Sequence, residues 1–116
     1  MKLNVSKHVT DLPEHKIISL RNHIGNAYNL AEDLDGCDPV KDYDIQRRKI
    51  TDVYGNEPTD SIVPILTISI DTKDEAHEMF KIAEEICPEY NIGLYDVWYN
   101  NDENQMMMFI EPFKLK

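Results

Sequence analysis

The stretch from Ser61 to Phe113 does most to limit what this chain can fold into, because its pattern switches from strand to helix and back. Ser61-Ile62-Val63-Pro64-Ile65-Leu66-Thr67-Ile68-Ser69-Ile70 is β-branched and partly alternating, as a half-buried strand requires. Thr72 and Glu75 have capping-box spacing, so a helix opens there, and Pro88 closes it. Ala76, Met79, Phe80, Ala83, Ile86 and Cys87 form its apolar face, with Asp74, Glu78, Lys81, Glu84, Glu85 and Glu89 largely outside it. Ile92 to Tyr99 and Gln105 to Phe113 then read as a hairpin around the polar loop Asn100-Asn101-Asp102-Glu103-Asn104.

The first half is less uniform. Lys2 to Thr10 reads as a short strand, and Asp11-Leu12-Pro13-Glu14 as a helix entry with a capping aspartate and a first-turn proline. Ile17, Leu20, Ile24, Ala27, Tyr28, Ala31 and Leu34 recur at steps of three or four, which predicts a helix of about five turns. Gly36 is expected to end it as a left-handed cap, and Gly25 to weaken it in the middle. Between Cys37 and Asp60 the apolar positions fit neither period. The reading places one strand within Asp44–Val53, in a hairpin with Ile62–Ile70.

Together these elements predict one α+β domain over residues 1–116, with a mostly antiparallel sheet and two principal helices. The strand–helix–strand piece pairs its strands in parallel or across a gap, as in ferredoxin-like folds. In the 61–70 strand, Ile62, Leu66, Ile68 and Ile70 should meet the helices, and Val63, Ile65, Thr67 and Ser69 should face away. Pro64 is expected to confine this strand to an edge, or itself to the strand's start. In the last two strands strict alternation sets Ile92 and Leu94 against Tyr95, Val97 and Tyr99, and Met106, Met108 and Ile110 against Met107 and Phe109. Both faces are apolar, so the side without helices needs a cover. A homodimer through that face or edge is the expectation; the alternative is cover by the first helix or the Cys37–Asp60 segment.

Charge narrows the partners. The formal net charge of −10 is unevenly spread, at +2 over residues 1–31, −5 over residues 32–60 and −7 over residues 61–116, where four Lys/Arg stand against eleven Asp/Glu. Such a surface repels phosphate backbones and anionic lipids, so neither nucleic acid nor membrane is expected as a partner, and a basic protein is. The N-terminus lacks an apolar signal core, and Cys37 and Cys87 are read as free thiols, Cys87 buried, in a reducing cytoplasm.

No motif for catalysis or cofactor binding is present. Asp33-Leu34-Asp35-Gly36-Cys37-Asp38 misses the calcium-loop spacing, and His8, His15, His23 and His77 show no zinc arrangement. Neither a cofactor nor a metal is therefore expected. Arg47-Arg48-Lys49, the only basic run, is too short for a nucleic-acid footprint and better suited to ion pairs with the protein's own acids. Tyr90, Tyr95, Trp98 and Tyr99 cluster beside the acidic hairpin loop, and such aromatics anchor binding surfaces. Tyr95 and Trp98 are expected on opposite faces, one core and one contact.

The segment Met79-Phe80-Lys81-Ile82-Ala83-Glu84-Glu85-Ile86, continuing through Tyr90-Asn91 into Ile92-Gly93-Leu94-Tyr95-Asp96, resembles one found in small acidic bacterial toxin-immunity-type proteins. That resemblance implies a protein that protects its cell by capping a toxin, and assigns no site residue. The sequence reading is thus a small acidic binding protein that neutralises a basic partner. Its contact residues are Asp96, Trp98, Tyr99, Asp102 and Glu103, with Glu84, Glu85 and Glu89 as a charged rim. Two alternatives stand beside it: a small enzyme using carboxylates and His77, and an acidic mimic of nucleic acid, against which Lys73 and Lys81 interrupt the acidic helix.

Overall fold

The computed structural model describes residues 12–34, 43–51 and 54–115. The strand expected over Lys2–Thr10, the capping Asp11, Gly36 and Cys37 lie outside them. Helix α1 (Glu14–Asp33) starts after Pro13, whose carbonyl accepts from the amides of Lys16 and Ile17. Leu20, Ile24, Ala27, Leu30 and Ala31 are its buried stripe. The helix stops before Gly36 because Leu34 turns to extended backbone (φ −92°, ψ 126°) and is itself buried. Gly25 sits mid-helix with open space where a Cβ would stand. Gly25→Ala is therefore expected to add about 1 kcal/mol, seen as a higher urea midpoint at unchanged slope.

Strand β1 (Tyr43–Ile50) pairs antiparallel with β2 (Thr59–Ser69), from Tyr43 opposite Leu66 to Ile50 opposite Thr59. Helix α2 (Lys73–Ile86) is capped by Thr72, whose hydroxyl accepts from the Glu75 amide at 3.1 Å. A 3₁₀ turn over Cys87–Tyr90 follows, and Asn91 (φ 54°) reverses the chain in left-handed conformation. Strands β3 (Leu94–Asn100), β4 (Gln105–Ile110) and β5 (Phe113–Lys114) complete an antiparallel sheet of order β1-β2-β4-β3, β5 also pairing with β2. The fold is α+β. Both β2 and β3 run antiparallel to β4, so the strand–helix–strand unit crosses a gap that β4 fills.

Register decides which side chains meet the helices. Leu66 lies opposite Met108 and Ile68 opposite Met106, and all four are buried with Ala27, Leu30 and Ala31 of α1 and Ala76 and Ala83 of α2. A second cluster joins Leu20 and Ile24 to Ile62 and Leu115. Both helices thus cover one face, as the alternation of β2 requires. Strand β3 departs from expectation. Its register with β4 shifts by one residue between Leu94 and Asp96, a bulge with Tyr95 as the extra residue. Leu94, Val97 and Tyr99 consequently all pack on the helix side, where strict alternation would have divided Leu94 from the other two.

Pro64 also departs from expectation: it is buried in the middle of β2, between β1 and β4. Even-numbered residues of β2 turn their backbone polar groups toward β4 and β5, as the bonds Leu115 N–H to Asp60 O and Ile70 N–H to Asn104 O demonstrate. The ladder on that side is broken between the Ile65–Phe109 and Ile62–Phe113 pairs, at Glu111 and Pro112. The missing donor of Pro64 therefore falls where the neighbouring strand is itself interrupted.

On the face without helices, Val63 and Ile65 are still only 1% and 2% exposed. Arg48 contributes to this cover. Its guanidinium lies 5.3 Å from the Phe109 ring centre, so the side chain spans the central strand from β1 to β4. Its neighbour Arg47 pairs with Asp60 at 2.6 Å, the internal ion pair that the short basic run was expected to make.

Two contacts tie α1 down. The Tyr90 phenol donates to the Asp33 carboxylate; that bond, then burial and the charges of Asp33, Glu89 and Glu32, push the phenol up to about 12. His23 Nε2 lies 2.6 Å from the Glu111 carbonyl oxygen, and its ring packs 5.6 Å from Phe113. A carbonyl can only accept, so Nε2 carries the proton. Burial lowers the His23 pKa below its ordinary 6.5, outweighing the Glu111 carbonyl and carboxylate, which raise it. The unfolded chain then binds the proton first as pH falls, so this group's contribution is complete above 6.5 and declines below it. Stability measured between about pH 5 and about pH 7.5 should rise with pH, and His23→Gln, which keeps an amide donor, should flatten that part of the profile.

Candidate binding surface along strand β3

Among the described residues β3 is an edge strand, and it presents the exposed aromatics. Trp98 pairs with Met107, which places it on the helix-free face, and it remains 53% exposed. Tyr95, at the bulge, is 50% exposed. The bulge thus overturns the expected division of these two into one core and one contact residue: neither is buried. Asp96 stands on the same face as Trp98, opposite Phe109, and its Oδ1 accepts from the Val97 amide at 2.8 Å. That bond occupies a backbone donor on the strand's outer edge, one of the devices that blunt edge-to-edge pairing.

Asp102 and Glu103 are exposed in the β3–β4 turn. The turn is held by Asn100, whose Oδ1 accepts from the amides of Asp102 (2.9 Å) and Glu103 (3.3 Å). Their carboxylates therefore sit at one end of the Trp98 face on a constrained loop. Glu84 and Glu85 are exposed on α2 and Glu89 on the 3₁₀ turn, in the helix layer. The structure accordingly brings Asp96, Trp98, Asp102 and Glu103 to one strand and its turn, and leaves Glu84, Glu85 and Glu89 behind it.

Tyr99 belongs elsewhere. It lies opposite Met106 and packs against the main core. Its accessible side joins Lys73, Ala76, His77, Phe80 and Val97 around an open recess of about 190 Å³ between α2 and β3. This recess gathers one ammonium, one imidazole and one phenol with no carboxylate among its walls. It offers His77 no partner acid for proton transfer, the pairing on which a carboxylate–histidine mechanism would depend.

Among the described residues no group of three His, Cys, Asp or Glu side chains converges as a metal site would, and no helix is long and apolar enough to cross a membrane. Cys87 is buried and unpaired; burial first, and then the charges of Glu84 and Glu111, raise its pKa and suppress the thiolate. Sequence reasoning singled out Tyr95 without placing it at a bulge, and passed over Arg48 as cover for the helix-free face. Their placement depends on a bulge and on a reach across the central strand, neither of which leaves a periodic signal. No family model matches the chain, and neither the curated proteins nor the solved structures contain a match to it.

Proposed function

We propose that this is a small acidic binding protein that caps a basic protein partner, an immunity-like role. The observation that carries the reading is Trp98, half exposed on the helix-free face of an edge strand, with Asp96 on the same face and Asp102 and Glu103 on the fixed turn beyond it. Tryptophan buries a large area on contact at small rotamer cost, and the acids give the approach its sign. Glu84, Glu85 and Glu89 extend the negative field around the helix side without touching the same contact. The net charge of −10 and the resemblance of residues 79–96 to toxin-immunity-type proteins agree with this assignment.

Affinity capture at low salt, followed by purification of the captured protein and titration, tests it. A basic partner is expected whose affinity falls by about 2 kcal/mol or more with Trp98→Ala. Its association rate should drop as salt shortens the screening length to about 8 Å, and Asp102→Lys with Glu103→Lys should slow it further. Recovery of no basic protein, or binding indifferent to Trp98, ends the proposal. The homodimer expected from sequence would compete for this face. Light scattering at low micromolar concentration distinguishes it, because a 13.5 kDa particle leaves the face open and one of twice that mass does not.

A further inference from the structure

The β3 bulge has a second effect, on the helix side of the sheet. By setting Val97 and Tyr99 toward the helices it gives the open recess between α2 and β3 its strand wall. The helix wall follows from the spacing of α2. At about 100° per residue, Lys73, Ala76, His77 and Phe80 fall within an arc of about 100°. Asp74, Glu75 and Glu78 lie about 100–200° round from Lys73, so the helix turns its first acids away from the recess. Glu84 returns to the recess side, but about 10 Å farther along the axis than His77.

The polar groups on these walls can all donate: the Lys73 ammonium, an imidazole N–H of His77 and the Tyr99 hydroxyl. On a chain of net charge −10, a group of donors with no carboxylate among them is the exception. Among the described residues none of the three has an ion pair or a hydrogen-bonding partner; Lys73 and His77 are exposed and Tyr99 is half-buried. The other walls, Ala76, Phe80 and Val97, are apolar, so the recess has the composition of a ligand site, apolar with a few polar groups. Its volume of about 190 Å³ is below the roughly 300 Å³ at which sites for drug-sized ligands begin. We infer that the recess binds a small monocarboxylate with an aromatic body, of the size of benzoate. The carboxylate meets Lys73, with His77 and Tyr99 as further donors, and the ring lies against Phe80 and Val97. An inorganic anion would leave the apolar walls unused, and an uncharged aromatic would leave the ammonium unused. The site is on the helix side of the sheet, apart from Trp98 and the proposed protein contact.

Nuclear magnetic resonance titration of the full chain with benzoate tests this, with acetate, which lacks the ring, and benzamide, which lacks the charge, as comparisons. Saturable shifts are expected at the amides of His77, Val97 and Tyr99, with acetate and benzamide each bound about tenfold more weakly or worse. Lys73→Met should weaken benzoate about tenfold, and Tyr99→Phe, which keeps the ring that packs on the core, about fivefold, while the remaining spectrum reports an intact fold. Absence of saturable shifts at those amides up to about 10 mM benzoate overturns the inference. Equal binding of acetate or benzamide, or binding unchanged by either substitution, overturns it as well.

Discussion

Leu66→Ala is expected to cost about 3–5 kcal/mol, seen as a large fall in urea midpoint. Leu66 is fully buried in the central strand, opposite Met108 and within the cluster that both helices cover. Truncation removes its transfer free energy and leaves a cavity that two helices and a sheet cannot readily close. Domains have only about 5–15 kcal/mol of total stability, so this one change removes a large share of it. Leu66→Met keeps the volume and should cost less than about 1.5 kcal/mol, which separates loss of volume from change of shape.

Ile24→Ala is expected to cost about 2–5 kcal/mol by the same physics, but in the other cluster. Ile24 is fully buried against Leu20, Ile62 and Leu115, where α1 meets the β2–β5 end of the sheet. The clusters share no buried residue, so the double variant should equal the sum of the single ones to within about 0.5 kcal/mol. Equilibrium unfolding of all four proteins checks this. A larger departure from additivity would show that the core responds as one body.

What could be read from sequence was whatever a regular period encodes. The stripe from Leu20 to Ala31, the Thr72 cap and the two faces of β2 follow from 3.6- and 2-residue repeats and one capping rule, and the structure has them. The strand within Asp44–Val53 carried no such repeat, because its side chains mix Ile45 and Ile50 with Arg47 and Arg48. Its place in the sheet comes from pairing with β2. The misread features are non-periodic. One extra residue at Tyr95 put Val97 and Tyr99 on the same side as Leu94, toward the helices. Leu34 ended α1 early because burying it outweighed two more residues of helix.

The proline in β2 has a consequence for how this strand selects its alignment. Hydrophobicity alone chooses poorly here, since Ile62, Leu66 and Ile68 are buried on one side and Val63 and Ile65 on the other. A slip of one residue would exchange two sets of almost equal apolarity, the situation in which strand pairing wanders. Pro64 removes that freedom. Moved by one residue, its imide would face β1; moved by two, it would meet a paired stretch of β4 or of β5. Either shift strands a carbonyl without its donor, at about 1–3 kcal/mol if buried. The gap at Glu111–Pro112 is the one berth that fits. Pro64 and the break that holds Pro112 thereby act as a locating pin for a sheet whose greasy faces could not locate themselves.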